Sequence, residues 1–129
     1  MKLHIVKTLL LIIFFFLLKN CPAQEITYFD WGFAKVAYDA DSVVMEEKLI
    51  RVRIINKFET PFESDYGMTD KTIFNIEIYG SYYIIRSKIF FLTSGDKKDY
   101  NIPETYNYSE TENRYIYRLK NLLIKEYMH

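Results

Sequence analysis

Six side chains in the middle of the chain have the types and spacing of a binding surface. Arg51 and Arg53 stand two apart in LIRVRII, and Arg86 and Lys88 stand two apart in IIRSKIF. Tyr79 and Tyr82 bracket the Gly80-Ser81 pair between those runs. Residues two apart in a strand share a face, so each basic pair projects from one side of its strand. A guanidinium presents five donors in a planar fork that fits carboxylate oxygens, and a phenol ring adds flat contact area with a polar tip. If the two strands are neighbours with these faces aligned, arginines beside tyrosines form a flat surface for an anionic glycan, a carboxylate or an acidic partner. An antiparallel sheet must also place charges somewhere, and Glu77 is positioned to neutralise part of Arg86.

The residue types that catalysis most often requires are missing from the body of the chain. The histidines are His4 and His129, and the single cysteine is Cys21. Without an internal His or Cys, Ser-His-Asp and Cys-His nucleophilic sites do not arise, and neither do Cys-based metal sites. The four glycines are isolated, so there is no glycine-rich phosphate loop. Asp39 and Asp41 begin as a calcium loop would, but Val43 falls at its fifth position and Ile50 at its twelfth, where oxygen ligands are required. Asp39-Ala40-Asp41-Ser42 reads instead as a turn held by side-chain-to-backbone hydrogen bonds. No cofactor or metal is expected. A hydrolase built on two carboxylates is the remaining enzymatic option, and no Asp or Glu pair stands out for it.

The N-terminus accounts for part of this. Lys2 and Lys7 precede the apolar run Thr8–Leu18, and Cys21-Pro22-Ala23 supplies small residues before a cut at Ala23/Gln24, the pattern of a secretory signal peptide. The run holds 11 residues before Lys19, too few to span a bilayer at about 1.5 Å per residue; an uncleaved anchor is the alternative. Residues 1–23 are therefore expected to be removed, giving an exported protein, periplasmic or extracellular, with one domain over 24–129. Loss of Lys2, Lys7 and Lys19 lowers the basic count from 17 to 14 against 17 acidic residues, a formal charge near −3. That balance argues against nucleic-acid binding, which favours a strongly basic domain. It also leaves a cysteine-free mature chain, stabilised by packing without disulfides. Membrane contact is expected only through the signal peptide before cleavage.

The elements that must position the six residues follow from periodicity. Lys71–Leu92 reads as a β-hairpin turned on Gly80-Ser81, with Gly80 supplying the positive φ of a type II′ turn. That turn sets Ile78 opposite Tyr83, Ile76 opposite Ile85 and Phe74 opposite Ser87 on one face. Tyr79 then meets Tyr82 and Asn75 meets Arg86 on the other. Within Val43–Phe58, Ile50, Val52 and Ile54 alternate with the two arginines, as in an antiparallel strand with one wet face. Glu25–Tyr38 is expected to be two short strands about a bend at Gly32, with Trp31 as a core anchor. Residues 56–70, containing Pro61 and Gly67, read as a polar connecting loop, and Pro103 excludes a central strand nearby.

The C-terminal stretch reads as a helix. Ser109 and Glu112 form a capping box, and Ile116, Leu119, Leu122 and Leu123 make an apolar stripe edged by Tyr115 and Tyr127. The expected fold is α+β: a four- or five-stranded antiparallel meander with the helix packed on one face. A β-sandwich is the alternative. The functional expectation is a small, non-enzymatic binding module for a protein or glycan. The second reading is an inhibitor- or immunity-like protein, or a subunit of an exported enzyme complex, making contact through the 59–70 loop or the helix.

Overall fold

The computed structural model describes residues 24–108 and 114–128. The expected signal peptide with Cys21, the expected Ser109–Glu112 capping box, Glu110 and His129 lie outside the described residues. Among the described residues there are eight strands: β1 (Glu25–Asp30), β2 (Ala34–Asp39), β3 (Val44–Met45), β4 (Ile50–Ser64), β5 (Gly67–Ile78), β6 (Tyr82–Leu92), β7 (Lys97–Tyr100) and β8 (Glu104–Asn107). A single-turn 3-10 segment, Ala40–Ser42, separates β2 from β3, and helix α1 spans Arg114–Tyr127.

All eight strands belong to one open, antiparallel sheet with the order β1-β2-β4-β5-β6-β7. The α+β class therefore holds, but the sheet has more strands than the expected four or five, and it is not a sandwich. Two pairs of short strands lie end to end. β2 and β3 both pair with β4, and β7 and β8 both pair with β6. Residues 101–103, ending in Pro103, form the break between β7 and β8; proline has no N–H to give to a ladder.

The long β4 and β5 correct the expectation of a loop over 56–70. β4 runs on to Ser64 and β5 starts at Gly67, so only Asp65 and Tyr66 connect them. Four residues, Phe58 to Pro61, stand opposite the single Asp70 where the register shifts. Pro61 is tolerated because it lies in this irregularity, where a missing donor breaks no regular bond. Gly67, at φ 130°, and the Ser64 hydroxyl bonded to Gly67 O at 3.0 Å close the tight turn.

The hairpin at Gly80-Ser81 exists, but its turn is not type II′. Gly80 lacks a positive φ; the glycines that have one are Gly32, Gly67 and Gly95. The turn is instead held from outside. Tyr108 donates its hydroxyl to Tyr79 O at 3.1 Å, and Lys120 on α1 donates to Gly80 O at 2.7 Å.

The expected alternation of β4 holds. Ile50, Val52 and Ile54 join Ile76, Ile78, Tyr83 and Ile85 in the core, and α1 adds Ile116, Leu119 and Leu123 to the same cluster. The remaining member of the expected stripe, Leu122, packs against its margin. The helix therefore covers the sheet face on which these residues lie. Tyr28 sits at a bulge, since Thr27 pairs with Ala37 while Phe29 pairs with Val36. The extra residue lets Tyr28 and its neighbour Phe29 both pack against the core.

Two stability measurements test this packing. Leu119→Ala should lower unfolding stability by about 2–5 kcal/mol in denaturant titration, the range for truncating a buried leucine. The Tyr28 hydroxyl is buried with no hydrogen-bond partner among the described residues. Tyr28→Phe, which removes that orphaned group, should therefore raise stability by about 1 kcal/mol.

Candidate functional site

The site is built on the face of the sheet opposite α1. Arg51 and Arg53 project from β4, as their spacing predicts, and Arg86 projects from β6. β4 and β6 are not neighbours: β5 lies between them. It contributes Glu77, directly across from Arg51, and Asn75, directly across from Arg53. A shallow depression of about 450 Å³ lies among Ser42, Arg51, Arg53, Asn75, Glu77 and Arg86.

Acidic groups beneath the surface hold the basic ones. The Glu77 carboxylate pairs with Arg51 at 3.3 Å and with Arg86 through its other oxygen. Asp39 lies 3.7 Å from the Arg53 guanidinium. The Glu77 and Asp39 side chains are only 11% and 6% exposed, whereas the three arginines are 47% to 53% exposed. The carboxylates therefore lie under the guanidinium groups, which keep outward-facing donors. Glu46, at 3.6 Å from Arg51, is the more exposed acid of the group. Glu77 bonding raises the Arg86 pKa above its ordinary value, with a smaller contribution from Tyr79.

The 39–42 turn supplies the rest of the frame. Asp39 accepts a hydrogen bond from Asp41 N at 3.0 Å, as expected of an Asx turn. Ser42 Oγ donates to Asp39 O at 2.7 Å and accepts from Arg53 N at 2.8 Å. The break between β2 and β3 is thus stitched to β4 at the residue that carries the central guanidinium. Asn75 links onward, accepting from Arg53 Nε at 3.4 Å and donating to Ser87 Oγ at 2.7 Å. At the hairpin end, Tyr79 and Tyr82 stack with ring centroids 4.7 Å apart and planes 11° from parallel.

Lys88 does not belong to this face. Ile76 pairs with Ile85 but Asn75 pairs with Ser87, so Arg86 is an extra residue in β6. This bulge reverses the alternation beyond it. Phe74 consequently faces Lys88, not Ser87, and Asn75 meets Ser87, not Arg86. Lys88 turns to the helix side, where it donates to Glu104 at 2.9 Å and lies 5.6 Å from the Phe74 ring centroid. Tyr106 donates to the same Glu104 oxygen. Those two bonds, that of Tyr106 first, hold the Glu104 carboxyl below the usual carboxylate range.

No known protein family, curated protein or solved structure matches this chain. Five of the six expected residues lie on the helix-free side or at its hairpin end, and Lys88 is replaced by Asn75, Ser42 and the buried pair Asp39 and Glu77. The Asx-turn signature of residues 39–42 was visible in the sequence. Its docking onto Arg53 depends on strand order, which no local pattern carries.

Glu77→Gln should lower stability by about 1–3 kcal/mol, because a buried acceptor shared by two arginines loses its charge. A double-mutant cycle with Arg86→Ala checks that the loss is pairwise. The depressed Glu104 carboxyl should contribute stability above its unfolded pKa, lost as pH falls through its lower folded value. Glu104→Gln should accordingly flatten the decline in melting temperature between about pH 5 and pH 3.

Proposed function

We propose that this chain is a small, exported, non-enzymatic binding module whose Arg51–Arg53–Arg86 face engages an acidic partner, either an anionic glycan or a protein segment rich in carboxylates. The observation that carries the reading is the layering of the charges. Exposed guanidinium groups rest on acids that are mostly buried, so the side chains are oriented before a partner arrives. Pre-orientation reduces the ordering cost of binding. Arginine is suited to the role because its planar fork can bond a buried carboxylate with one edge and an incoming oxyanion with another.

Several features favour this reading over catalysis. The region after the leader contains no cysteine and no histidine before the last residue. The depression is broad and shallow, the shape of a contact surface more than of a cleft that excludes water. Tyr79 and Tyr82 extend it with a stacked aromatic pair able to cover a sugar ring or a peptide backbone. The leader motif supports a partner outside the cytoplasm.

The direct test is retention on immobilised polygalacturonate and on a glutamate-rich peptide, measured by surface plasmon resonance. Binding to one of them should weaken steeply between about 0.05 and 0.5 M salt as surface charges are screened. Arg53→Glu or Arg86→Glu should weaken it about tenfold or more, the loss of one charge-assisted bond. Unchanged retention of an Arg51→Glu, Arg53→Glu, Arg86→Glu triple variant that keeps its far-ultraviolet circular dichroism would remove this face from consideration.

A further inference from the structure

The helix-side face contains a second candidate site, independent of the arginine face. α1 covers the half of the sheet that holds Ile50, Val52, Ile76 and Ile85. Farther along the same strands, Phe58 on β4, Phe74 on β5 and Phe90 on β6 line a groove of about 260 Å³. Tyr115, in the first turn of α1, closes one side, and Trp31, Phe33 and Phe62 stand at the rim. Trp31 is not the core anchor that its type suggests. It is 39% exposed and Phe33 is 63% exposed.

These rim aromatics stand on a rigid turn. Gly32, at φ 89°, donates its N–H to Asp30 Oδ1 at 2.7 Å, and Trp31 N bonds Ala34 O at 2.8 Å. Trp31 also packs on Phe29 at 4.8 Å and edge-on to Tyr115 at 5.8 Å. The Trp31 and Phe33 rings lie 24° from parallel with centroids 6.2 Å apart, forming an exposed aromatic shelf.

The lining is mostly apolar, with few polar groups, and close to electrically neutral. Asn56 Nδ2 donates to Thr72 Oγ1 at 3.1 Å; Thr72 is fully buried, and the Asn56 carbonyl is left to accept. Lys88 is the one charged group lining the groove among the described residues, and Glu104 neutralises it at 2.9 Å. An ammonium has three donors, so Lys88 keeps capacity to bond a ligand oxygen beside its bond to Glu104.

Flat aromatic walls, a single charge-balanced cation beside the Asn56 amide, and an open rim together define the occupant. A pyranose ring has an apolar face of C–H groups and an edge of hydroxyls that both donate and accept. We propose that this groove binds a neutral pyranose unit of an oligosaccharide, with the Trp31–Phe33 shelf against the C–H face and Asn56 and Lys88 serving the hydroxyls. A fatty-acid-like amphiphile would fit the phenylalanines but has no flat face to lay against the exposed Trp31–Phe33 shelf. The open rim allows neighbouring sugar units to extend into solvent.

Trp31 is the only tryptophan in the chain, so its fluorescence reports on this groove directly. The purified protein would be titrated with cellohexaose, xylohexaose, maltohexaose and the hexamer of N-acetylglucosamine, with hexagalacturonate and laurate as contrasts. At least one neutral hexamer should shift Trp31 emission, with an affinity that is unchanged by salt. Phe33→Ala and Phe62→Ala should each weaken that binding about tenfold, while the triple arginine variant should leave it unaltered. Calorimetry with the same hexamer should show the loss in Trp31→Ala, where the optical signal is gone. Silence toward all four neutral hexamers overturns the proposal. So does a response confined to laurate or hexagalacturonate, or one abolished by the arginine variant. Failure of the arginine-face reading would leave these outcomes unchanged, because the two sites lie on opposite faces of the sheet.

Discussion

The length of the helix relative to the strands governs this structure. α1 has 14 residues, about 21 Å at helical rise, whereas β4 has 15, about 50 Å when extended. One helix cannot cover such a sheet. The cluster of isoleucines, Tyr83 and the helix leucines therefore occupies one half of the covered face, and the other half must complete its burial differently. It does so with large rings that shield one another, such as Phe58 against Phe62 at 4.5 Å and Tyr66 against Phe90 at 5.0 Å. The result is a dry half under the helix and a half-open aromatic half beyond it.

Bulges decide which chemistry reaches which face. The extra residue at Arg86 sends Lys88 to the helix side and leaves Arg86 over Glu77 on the other. Without it, an unpaired ammonium would join the arginines, and the aromatic half would lack its one cation. The irregularity at Phe58–Pro61 bends β4 where it would otherwise run straight past the groove. In both places a single change of register does what a change of residue type could not.

Much of the fold was legible because it rests on local patterns. The alternation Ile50-Arg51-Val52-Arg53-Ile54, the Gly80-Ser81 reversal and the stripe Ile116, Leu119, Leu123 each declare an element and a buried side. The Asx turn at residues 39–42 was equally plain. Bulges are not local patterns: they belong to a pair of strands, and nothing in YYIIRSKIFF marks Arg86 as the residue that its partner strand skips. The same limit hid the strand through Pro61, since proline is a valid strand breaker unless the partner strand leaves room for it. Trp31 was misplaced for a related reason. Its size argues for burial, but it stands at the rim of the sheet, 39% exposed, where Tyr115 meets it edge-on. The candidate arginines were found from spacing, while the buried acids under them required strand order.

The margins of the sheet have a consequence for how this chain meets others. An open sheet ends in two strands with free backbone donors and acceptors, which are templates for further strands. Here one margin, β1, is distorted by the bulge at Tyr28, and the other is split at residues 101–103 and carries Lys97 and Lys98. A recruited strand needs a flat, regular row of partners and finds neither margin suitable. Fibrous growth from end to end through strand pairing is thereby discouraged.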